Sequence, residues 1–345
     1  MSLKEALGID LPIIQAPMAG VQGSALAVAV CNAGGLGSLP GAMLNIGTLR
    51  DELSAITSQT DRPYNVNFFC HEMPEHSQKA EMVWRNALSP FYKAYSIDPD
   101  MVPIGSGRVP FNAKTAEVLE EFKPPVVSFH FGLPEEELLL QVKSFGSKVI
   151  SSATTVEEAL WLEEYGADVI IAQGVEAGGH RGMFLSHDLN SQMGTFALLP
   201  QIVEAVNVPV VAAGGIAEAN GVVAAMELGA AGVQLGTAYL LCHEALTSPM
   251  HRAALESEGA RHTALTNVFT GRPARAIINL AIKELGPIHY GIPEFPLAAS
   301  AITPLRTIME AQGSGDFSPL WAGQNVTGCK AISATELTHE LASQL

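Results

Sequence analysis

Cysteine is scarce in this chain, and its few copies are widely separated. The four cysteines are Cys31, Cys70, Cys242 and Cys329, and no two of them form a Cys-x-x-Cys pair. Zinc ribbons and disulfide-stapled folds depend on clustered or regularly spaced cysteines. The pattern therefore argues against both classes, and it fits a protein of the reducing cytoplasm.

Basic residues are also few, and long apolar runs are absent. Only 19 lysines and arginines face 35 acidic residues, which gives a formal net charge of −16. This balance disfavours nucleic acid and anionic membrane as partners, because both are negatively charged. No apolar run approaches the length of about 18 residues that a membrane helix requires, and the sequence MSLKEALGIDLP at the start has no signal-peptide pattern. We expect a cytoplasmic protein with small-molecule partners, either a monomer or a homodimer.

Most of the sequence consists of short apolar segments that alternate with helical patterns. Hydrophobic residues make up 48% of the 345 residues, enough for a large core. The predicted strands are 11–18, 35–41, 64–69, 126–132, 148–153, 168–172, 208–215 and 232–237. The predicted helices are 20–33, 45–58, 77–95, 135–145, 154–166, 218–228 and 333–343. Eight strand–helix units indicate parallel pairing, and we predict an α/β fold, a closed (β/α)8 TIM barrel. An open doubly wound sheet is the alternative, but no Gly-x-Gly-x-x-Gly follows the first strand.

The strand–helix alternation ends after Thr237. Residues 241–310 contain helical patterns broken by prolines, and they are too long for one crossover. We predict that 241–310 is a helical substrate or lid domain inserted after the eighth strand. The barrel then consists of 1–240 and 311–345. The excursion between 70 and 123 stays unassigned.

A glycine-rich loop follows the sixth predicted strand. It reads Gln173-Gly-Val-Glu-Ala-Gly-Gly-His-Arg-Gly182 and places His180 among four glycines. Glycine lets the backbone come close to a ligand, and histidine changes charge near neutral pH. The loop is therefore a candidate for catalysis, and a connector with solvated charges is the alternative.

The carboxyl ends of the strands carry further candidates, since a barrel of this type places its active residues there. Loops after strands seven and eight commonly bind phosphate through backbone N–H groups. We predict a phosphate site at these two loops, with ordinary strand-end turns as the alternative. The residues concerned are Gly214, Gly215, Gln234, Leu235, Gly236 and Thr237.

Three amides at strand ends suit a planar heterocycle. Asn67, Gln173 and Gln234 can hydrogen-bond its polar edges, and Met18 can pack on one face. A phosphate site beside such a platform indicates flavin mononucleotide (FMN) rather than a metal. The pair Cys70–His71 lacks the further partners that a metal site requires.

Six motifs in order resemble the nitronate monooxygenase family, formerly called 2-nitropropane dioxygenases, in its class I form. They lie at 15–20 (QAPMAG), 65–68 (NVNF), 128–132 (SFHFG), 173–182, 212–216 (AAGGI) and 234–237 (QLGT), and the similarity continues through 269–275 and 320–324. The resemblance implies a barrel with an inserted helical substrate domain. It implies FMN contacts at Asn67, Gln173, Gly178, Gly215 and 234–237, and a catalytic His180. It also implies oxidation of alkyl nitronates, such as propionate 3-nitronate, by O2 to an aldehyde or oxo acid and nitrite.

Several side chains near these motifs have two interpretations. A cationic or hydrogen-bonding His180 can steady the nitronate charge, or it can remove the α-proton of a neutral nitroalkane; a structural loop histidine is the alternative. His130 either lines the pocket or is a buried histidine with its hydrogen bonds satisfied. Glu176 is expected to brace the loop. Arg272 and Arg275 either orient the lid or steer an anion, or they form salt bridges. Tyr290 is a weak candidate for reaching the pocket from the lid.

Two other functions compete with nitronate oxidation. Flavin-dependent enoyl-acyl-carrier reductases and NADH:quinone reductases share a similar barrel and glycine–histidine loop, and they use NAD(P)H. Docking of an acidic carrier protein requires a basic patch, which the excess of acidic residues disfavours. A non-enzymatic flavin-binding or sensor protein is the third possibility, and it needs no base beside the flavin.

Overall fold

A closed barrel of parallel strands forms the centre of the molecule, in a computed structural model that describes residues 2–105 and 108–345. The barrel strands are β1 Ile13–Gln15, β2 Gly37–Pro40, β3 Tyr64–Phe69, β4 Val126–His130, β5 Lys148–Ala153, β6 Val169–Gln173, β8 Val210–Ala213 and β9 Gly232–Leu235; the short β7 Gly179–His180 lies outside it. Their hydrogen-bonded order is β1-β9-β8-β6-β5-β4-β3-β2. A parallel bridge between Ile14 and Leu36 joins the two ends. The predicted (β/α)8 barrel is confirmed.

Helices cover the outside of the barrel and build the additional parts. They are α1 Leu3–Leu7, α2 Ser24–Asn32, α3 Ile46–Thr57, α4 Gln78–Ala94, α5 Ala113–Phe122, α6 Glu136–Ser144, α7 Val156–Glu164, α8 Thr195–Ala205, α9 Ala219–Glu227, α10 Pro249–Glu256, α11 Leu280–Leu285, α12 Ala299–Ala311 and α13 Ala334–Ala342. Each of the seven predicted helices is present within a few residues of its predicted bounds. Thr155 caps α7 as predicted, since its side chain accepts a hydrogen bond from the Glu158 N–H.

Several strands are shorter than predicted, and in the two that differ most proline contributes to the difference. The first strand, predicted at 11–18, covers only Ile13–Gln15, because Pro12 and Pro17 have no N–H to donate to a ladder. The strand predicted at 208–215 covers Val210–Ala213, because it begins after Pro209 and ends where Gly214 adopts a φ of 118°. The shorter strands leave the glycines free to form the loop at the carboxyl end.

Residues 241–310 are not entirely helical. Strand β10, Thr263–Thr266, pairs antiparallel with β11, Ala274–Ile277, and β11 pairs with β7 of the glycine-rich loop. Each strand is only four residues long, too short to show a clear alternation in the sequence. The prediction of a helical segment is wrong over these strands. Their pairing with β7 attaches the segment directly to the candidate catalytic loop.

A second hydrophobic core joins this segment to the excursion after β3. In it, Trp84 and Tyr92 of α4 pack with Ile302 and Leu305 of α12. The Trp84 indole N–H donates to the Ala298 carbonyl at 2.9 Å. Helix α4 therefore belongs structurally with the segment that follows the barrel, a grouping that the sequence did not reveal. The exact division of the chain into domains at 240 and 311 stays a prediction.

No helix in the described residues is both long and apolar enough to cross a membrane.

Candidate active site at the carboxyl end of the barrel

One cavity lies at the carboxyl ends of the barrel strands, and all the predicted site residues line it. The lining includes His180, Met18, Asn67, Gln173, Gly178, Gly214, Gly215, Gln234, Leu235, Gly236 and Thr237. They come from the carboxyl-end residues of the barrel strands and from the segments that follow β1, β6, β8 and β9, and the closed parallel barrel brings these parts together. The structure therefore places all of these residues around one cavity.

The loops after β8 and β9 present unpaired backbone N–H groups. Gly214 and Gly215 have φ values of 118° and 74°, a conformation that favours glycine. Gly236 precedes a short 3-10 helix, Thr237–Leu241, whose start has no side-chain cap. The N–H groups of Gly215, Gly236 and Thr237 form no hydrogen bond with other described residues. Such clustered donors suit an anion such as phosphate.

The three predicted amides differ in how they are engaged. Asn67 donates to the carbonyl and hydroxyl oxygens of Ser128 at 3.2 and 3.0 Å, so its own Oδ1 remains an acceptor without a partner among the described residues. The Gln234 amide likewise forms no hydrogen bond within the part of the chain that the structure describes. Both amides therefore remain available to a ligand.

Gln173 holds the glycine-rich loop instead. Its Nε2 donates to the His180 carbonyl at 3.0 Å, and its Oε1 accepts the Gly182 N–H at 2.7 Å. Both ends of the amide thus bind backbone groups of the same loop. From the sequence, Gln173 was predicted only to contact the cofactor, and this structural role was not predicted.

Arg181 is a second internal clamp of this loop. Its side chain is fully buried and donates to the carbonyl oxygens of Gly174 and Gln173 at 2.6 and 2.7 Å. It also donates to Gln192 at 2.9 Å. Burial lowers the pKa of this guanidinium to about 10, so it stays charged at neutral pH. This structural role of the arginine beside His180 was not predicted from the sequence.

Glu176 and Gly178 connect the loop to its neighbours. The Glu176 carboxylate accepts the backbone N–H and the hydroxyl of Thr195, each at 2.9 Å, so it caps α8; the predicted bracing role is confirmed. A Cβ added at Gly178 would lie 2.6 Å from the Gly323 nitrogen. Gly178 is therefore required for close packing of two backbone segments, whatever it contributes to ligand binding.

His180 lies on β7, opposite Ala274 of β11. Its Nε2 is 2.9 Å from the Thr270 hydroxyl, and its Nδ1 has no hydrogen-bond partner among the described residues. The rings of Phe295 and Trp321 lie 5.2 and 5.3 Å from the imidazole centre. Burial, followed by the charge of Arg108, holds the pKa of His180 well below its ordinary range.

The lowered pKa of His180 bears on its predicted charge states. Burial disfavours the cationic form considered from the sequence and favours the neutral imidazole. A neutral imidazole can still accept a proton or form a hydrogen bond at the cavity. Positive charge near the cavity comes from arginine.

His130 satisfies both of its sequence-based interpretations. It lines the cavity, and both of its ring nitrogens are engaged. Nε2 lies 3.1 Å from the His180 carbonyl oxygen, and Nδ1 lies 3.3 Å from the Ser152 hydroxyl. A carbonyl can only accept, so Nε2 carries the proton. Burial lowers the pKa of His130 to about 4.

Arg272 and Arg275 hold loops together. The Arg272 guanidinium stacks on the Phe131 ring at 3.9 Å, and Arg275 donates to the Val175 carbonyl at 2.8 Å and the Thr263 hydroxyl at 3.1 Å. Neither forms a salt bridge within the described residues, so the salt-bridge interpretation is wrong. Arg275 ties the loop after β6 to β10 and so orients the added segment. Tyr290 is 86% exposed and does not line the cavity.

Several lining residues were not predicted individually. Arg108 follows a proline-rich stretch without a motif, and His251 lies in α10, between the motifs at 234–237 and 269–275 and outside both. Trp321 and Gly323 belong to the motif at 320–324, so the sequence contained a signal for them. Within the described residues, no group of three His, Cys, Asp or Glu side chains is arranged to hold a metal ion.

Comparison with known proteins identifies the family. A family model described as nitronate monooxygenase matches residues 1–344. The chain belongs to the nitronate monooxygenase family. It is 40% identical to a nitronate monooxygenase of Paraburkholderia phytofirmans, over 100% of this chain and 94% of that one. It is 39% identical to a nitronate monooxygenase of Pseudomonas aeruginosa, over 98% and 97% of the two chains.

A solved structure supports the same relationship. Nitroalkane oxidase from Streptomyces ansochromogenes matches with a TM-score of 0.89 and 38% identity, covering 100% of this chain and 98% of that one. The likeness extends over the barrel and the added segment together. As a member of this family, the chain is an oxidoreductase.

Proposed function

We propose that this protein oxidises alkyl nitronates with FMN and O2, and that it releases an aldehyde or oxo acid together with nitrite. Propionate 3-nitronate is one member of this substrate class. The observation that carries the proposal is the arrangement of the cavity. A neutral His180 faces the same space as two loops with unpaired backbone N–H groups, in a chain whose relatives are named for nitronate oxidation.

The donors and acceptors of the cavity fit FMN. The N–H groups of Gly215, Gly236 and Thr237 would hold its phosphate. The Asn67 Oδ1 and the free amide of Gln234 would bind the polar edges of its ring system, and Met18 would pack against a ring face. When bound, FMN supplies the capacity to accept electrons from the substrate and to pass them to O2.

The residues of the chain control the charge and the proton at the reacting centre. A nitronate is an anion, and the arginines around the cavity give it a favourable electrostatic environment. His180 hydrogen-bonds the substrate through Nδ1, or accepts the α-proton of a neutral nitroalkane at that atom. His130 and Gln173 fix the His180 backbone through its carbonyl oxygen. The surrounding aromatic rings limit access of water.

The experiment follows oxygen uptake and nitrite release by the purified, FMN-loaded protein with ethylnitronate. We expect both signals without NADH, and a loss of at least about 100-fold in kcat/KM for His180→Ala, the scale of removing a hydrogen-bonding group at the reacting centre. His187→Ala is the control, because His187 is exposed and does not line the cavity. A protein that consumes O2 only with NAD(P)H would contradict the proposal and favour a reductase. An FMN-binding protein without turnover would favour a sensor.

A further inference from the structure

A second cavity adjoins the first, and it has a different character. Apolar side chains from the segment after β3 and from the region of α12 line it, among them Pro103, Phe295, Pro296 and Ala299. No acidic side chain occurs in its described lining. The uncharged polar side chains in its described lining are the hydroxyls of Thr270 and, on α12, of Ser300 and Thr303. The space suits an apolar group rather than a charged one.

Arg108 connects the two cavities. It is the one residue that lines both of them within the described parts of the chain. Its guanidinium carbon lies 5.8 Å from the centre of the Phe295 ring, and the His180 ring lies 5.2 Å from the same centre. Thr270 lines the second cavity and contacts His180 in the first. The positive charge is thus located at the passage between them, beside the candidate catalytic histidine.

The Arg108 side chain is poor in protein partners. It forms no salt bridge within 4.0 Å and no side-chain hydrogen bond with other described residues. After burial, the charge of another cation, Arg306, contributes to lowering the pKa of Arg108, and Arg306 itself pairs with Glu310 at 2.7 Å. A partly buried guanidinium without an anion pays a desolvation cost that a bound anion relieves.

We propose that Arg108 anchors the anionic head of the substrate and that the second cavity holds its alkyl chain. This inference rests on the proposed function. The head must lie beside His180 in the first cavity, and an unbranched chain can extend past Arg108 into the apolar space. The enzyme therefore selects nitronates with longer apolar chains over short ones. A remote carboxylate in the tail is disfavoured, because the second cavity has no further cation in its described lining.

Steady-state kinetics with ethyl-, butyl- and hexylnitronate test the chain-length preference. We expect kcat/KM to rise about three- to fourfold per added methylene until the cavity is filled, the scale of burying one CH2 group. Ala299→Phe fills the second cavity, so the ratio of hexyl- to ethylnitronate kcat/KM falls at least about tenfold. Ala311→Phe, at the exposed end of the same helix, is the matched control and keeps the wild-type ratio. A flat series in the wild-type enzyme would overturn the inference.

Binding of unreactive anions gives a readout that does not depend on turnover. Alkanoates from acetate to hexanoate are planar anions like nitronates, and Trp321 in the first cavity reports their binding by fluorescence. We expect Kd to fall with chain length in the wild type, and Arg108→Met to weaken every alkanoate by at least about tenfold. Arg108→Lys restores part of the affinity, because it keeps the charge and loses the planar fork. Equal affinities for wild type and Arg108→Met would contradict the anchor.

The two assays separate this inference from the proposed function. Nitronate turnover with no chain-length dependence would support the proposed function and would contradict the assignment of the second cavity to the alkyl chain. Chain-length-dependent alkanoate binding without turnover supports the cavity assignment and contradicts nitronate oxidation. One further result would overturn the proposal: a wild-type kcat/KM that is higher for propionate 3-nitronate than for butylnitronate, with this difference absent in Arg108→Met. Arg108 would then bind the carboxylate in the substrate tail and not the nitronate head.

Discussion

The Nε2 of His130 lies 3.1 Å from the backbone carbonyl oxygen of His180 and donates to it. A histidine at the end of β4 thus holds the strand that carries the candidate catalytic histidine. Gln173 donates to the same oxygen at 3.0 Å. The position of His180 therefore depends on side chains from two barrel strands, β4 and β6, which lie on either side of β5, in addition to the pairing of β7 with β11.

Replacement of His130 tests this positioning role. We expect His130→Leu to lower kcat about tenfold with a small change in KM, because His180 is displaced while the arginines that attract the anion remain. His130→Gln keeps a donor near the carbonyl and should recover part of the lost activity. Steady-state kinetics of both variants provide the measurement. Equal losses in the two variants would indicate a packing role without the hydrogen bond.

The stability of the protein should depend on pH through the same residue. Burial lowers the folded-state pKa of His130 to about 4 from an ordinary value of 6.5. Between these values the unfolded chain binds more protons than the folded one, so stability is present above about pH 6.5 and is lost as the pH falls toward 4. The contribution is roughly 1.4 kcal/mol per pH unit within that window.

Urea unfolding at pH 5 and pH 6 measures this dependence. His130→Gln removes one titrating group, so the difference in unfolding free energy between the two pH values should shrink by about 1 kcal/mol. His71 and His251 also have a pKa lowered to about 4 by burial, so the variant keeps part of the dependence. An unchanged pH slope in His130→Gln would show that His130 does not titrate in this way.

The two glutamines at the cavity should respond differently to substitution. Gln234 has no hydrogen-bond partner among the described residues, so Gln234→Leu should weaken FMN binding while the unfolding free energy of the FMN-free protein changes by less than about 0.5 kcal/mol. Gln173 binds two backbone groups of the loop. Gln173→Leu should therefore cost about 2 kcal/mol of stability. Denaturation of FMN-free protein and FMN titration compare the pair; a destabilised Gln234→Leu would contradict the assignment.

Arg181 should be essential for the stability of the loop rather than for chemistry. Arg181→Met removes three hydrogen bonds, those to the carbonyls of Gly174 and Gln173 and to the Gln192 side chain, and leaves the Gly174 carbonyl with only the Ala177 N–H among the described residues. We expect a loss of about 3 kcal/mol in unfolding free energy, measured by chemical denaturation. Arg62→Met is the control, since Arg62 forms an exposed ion pair with Asp10 and should change stability by less than about 1 kcal/mol. Similar losses in both variants would refute the clamp.

The sequence predicted the barrel because its strands are continuous apolar runs closed by glycine or proline, a pattern that depends only on local composition. It predicted the residues that line the cavity because parallel strands bring their carboxyl ends to one edge. It did not reveal that Arg181 and Gln173 hold the loop, since both roles depend on which backbone groups approach these side chains in space.

Helices α5 and α8 were not predicted either. The first lies in the unassigned excursion, and the second contains Pro200 within the helix, which is unfavourable from sequence alone.

The position of Arg108 beside the cavity could not be predicted from the sequence. It lies in the excursion after β3, far along the chain from His180, and no motif surrounds it. Its role follows only from the two cavities that it separates. Long-range packing of α4 against α12 brings the excursion to this position, and contacts of that kind leave no periodic pattern in either segment.

Anaerobic mixing of the FMN-loaded protein with ethylnitronate, and separately with NADH, tests the central claim most directly. Flavin absorbance follows electron transfer without O2. We expect rapid loss of the oxidised flavin spectrum with the nitronate, none with NADH, and a strongly slowed reaction in His180→Ala. Reduction by NADH alone, with no response to the nitronate, would contradict nitronate oxidation and assign the cavity to a reductase.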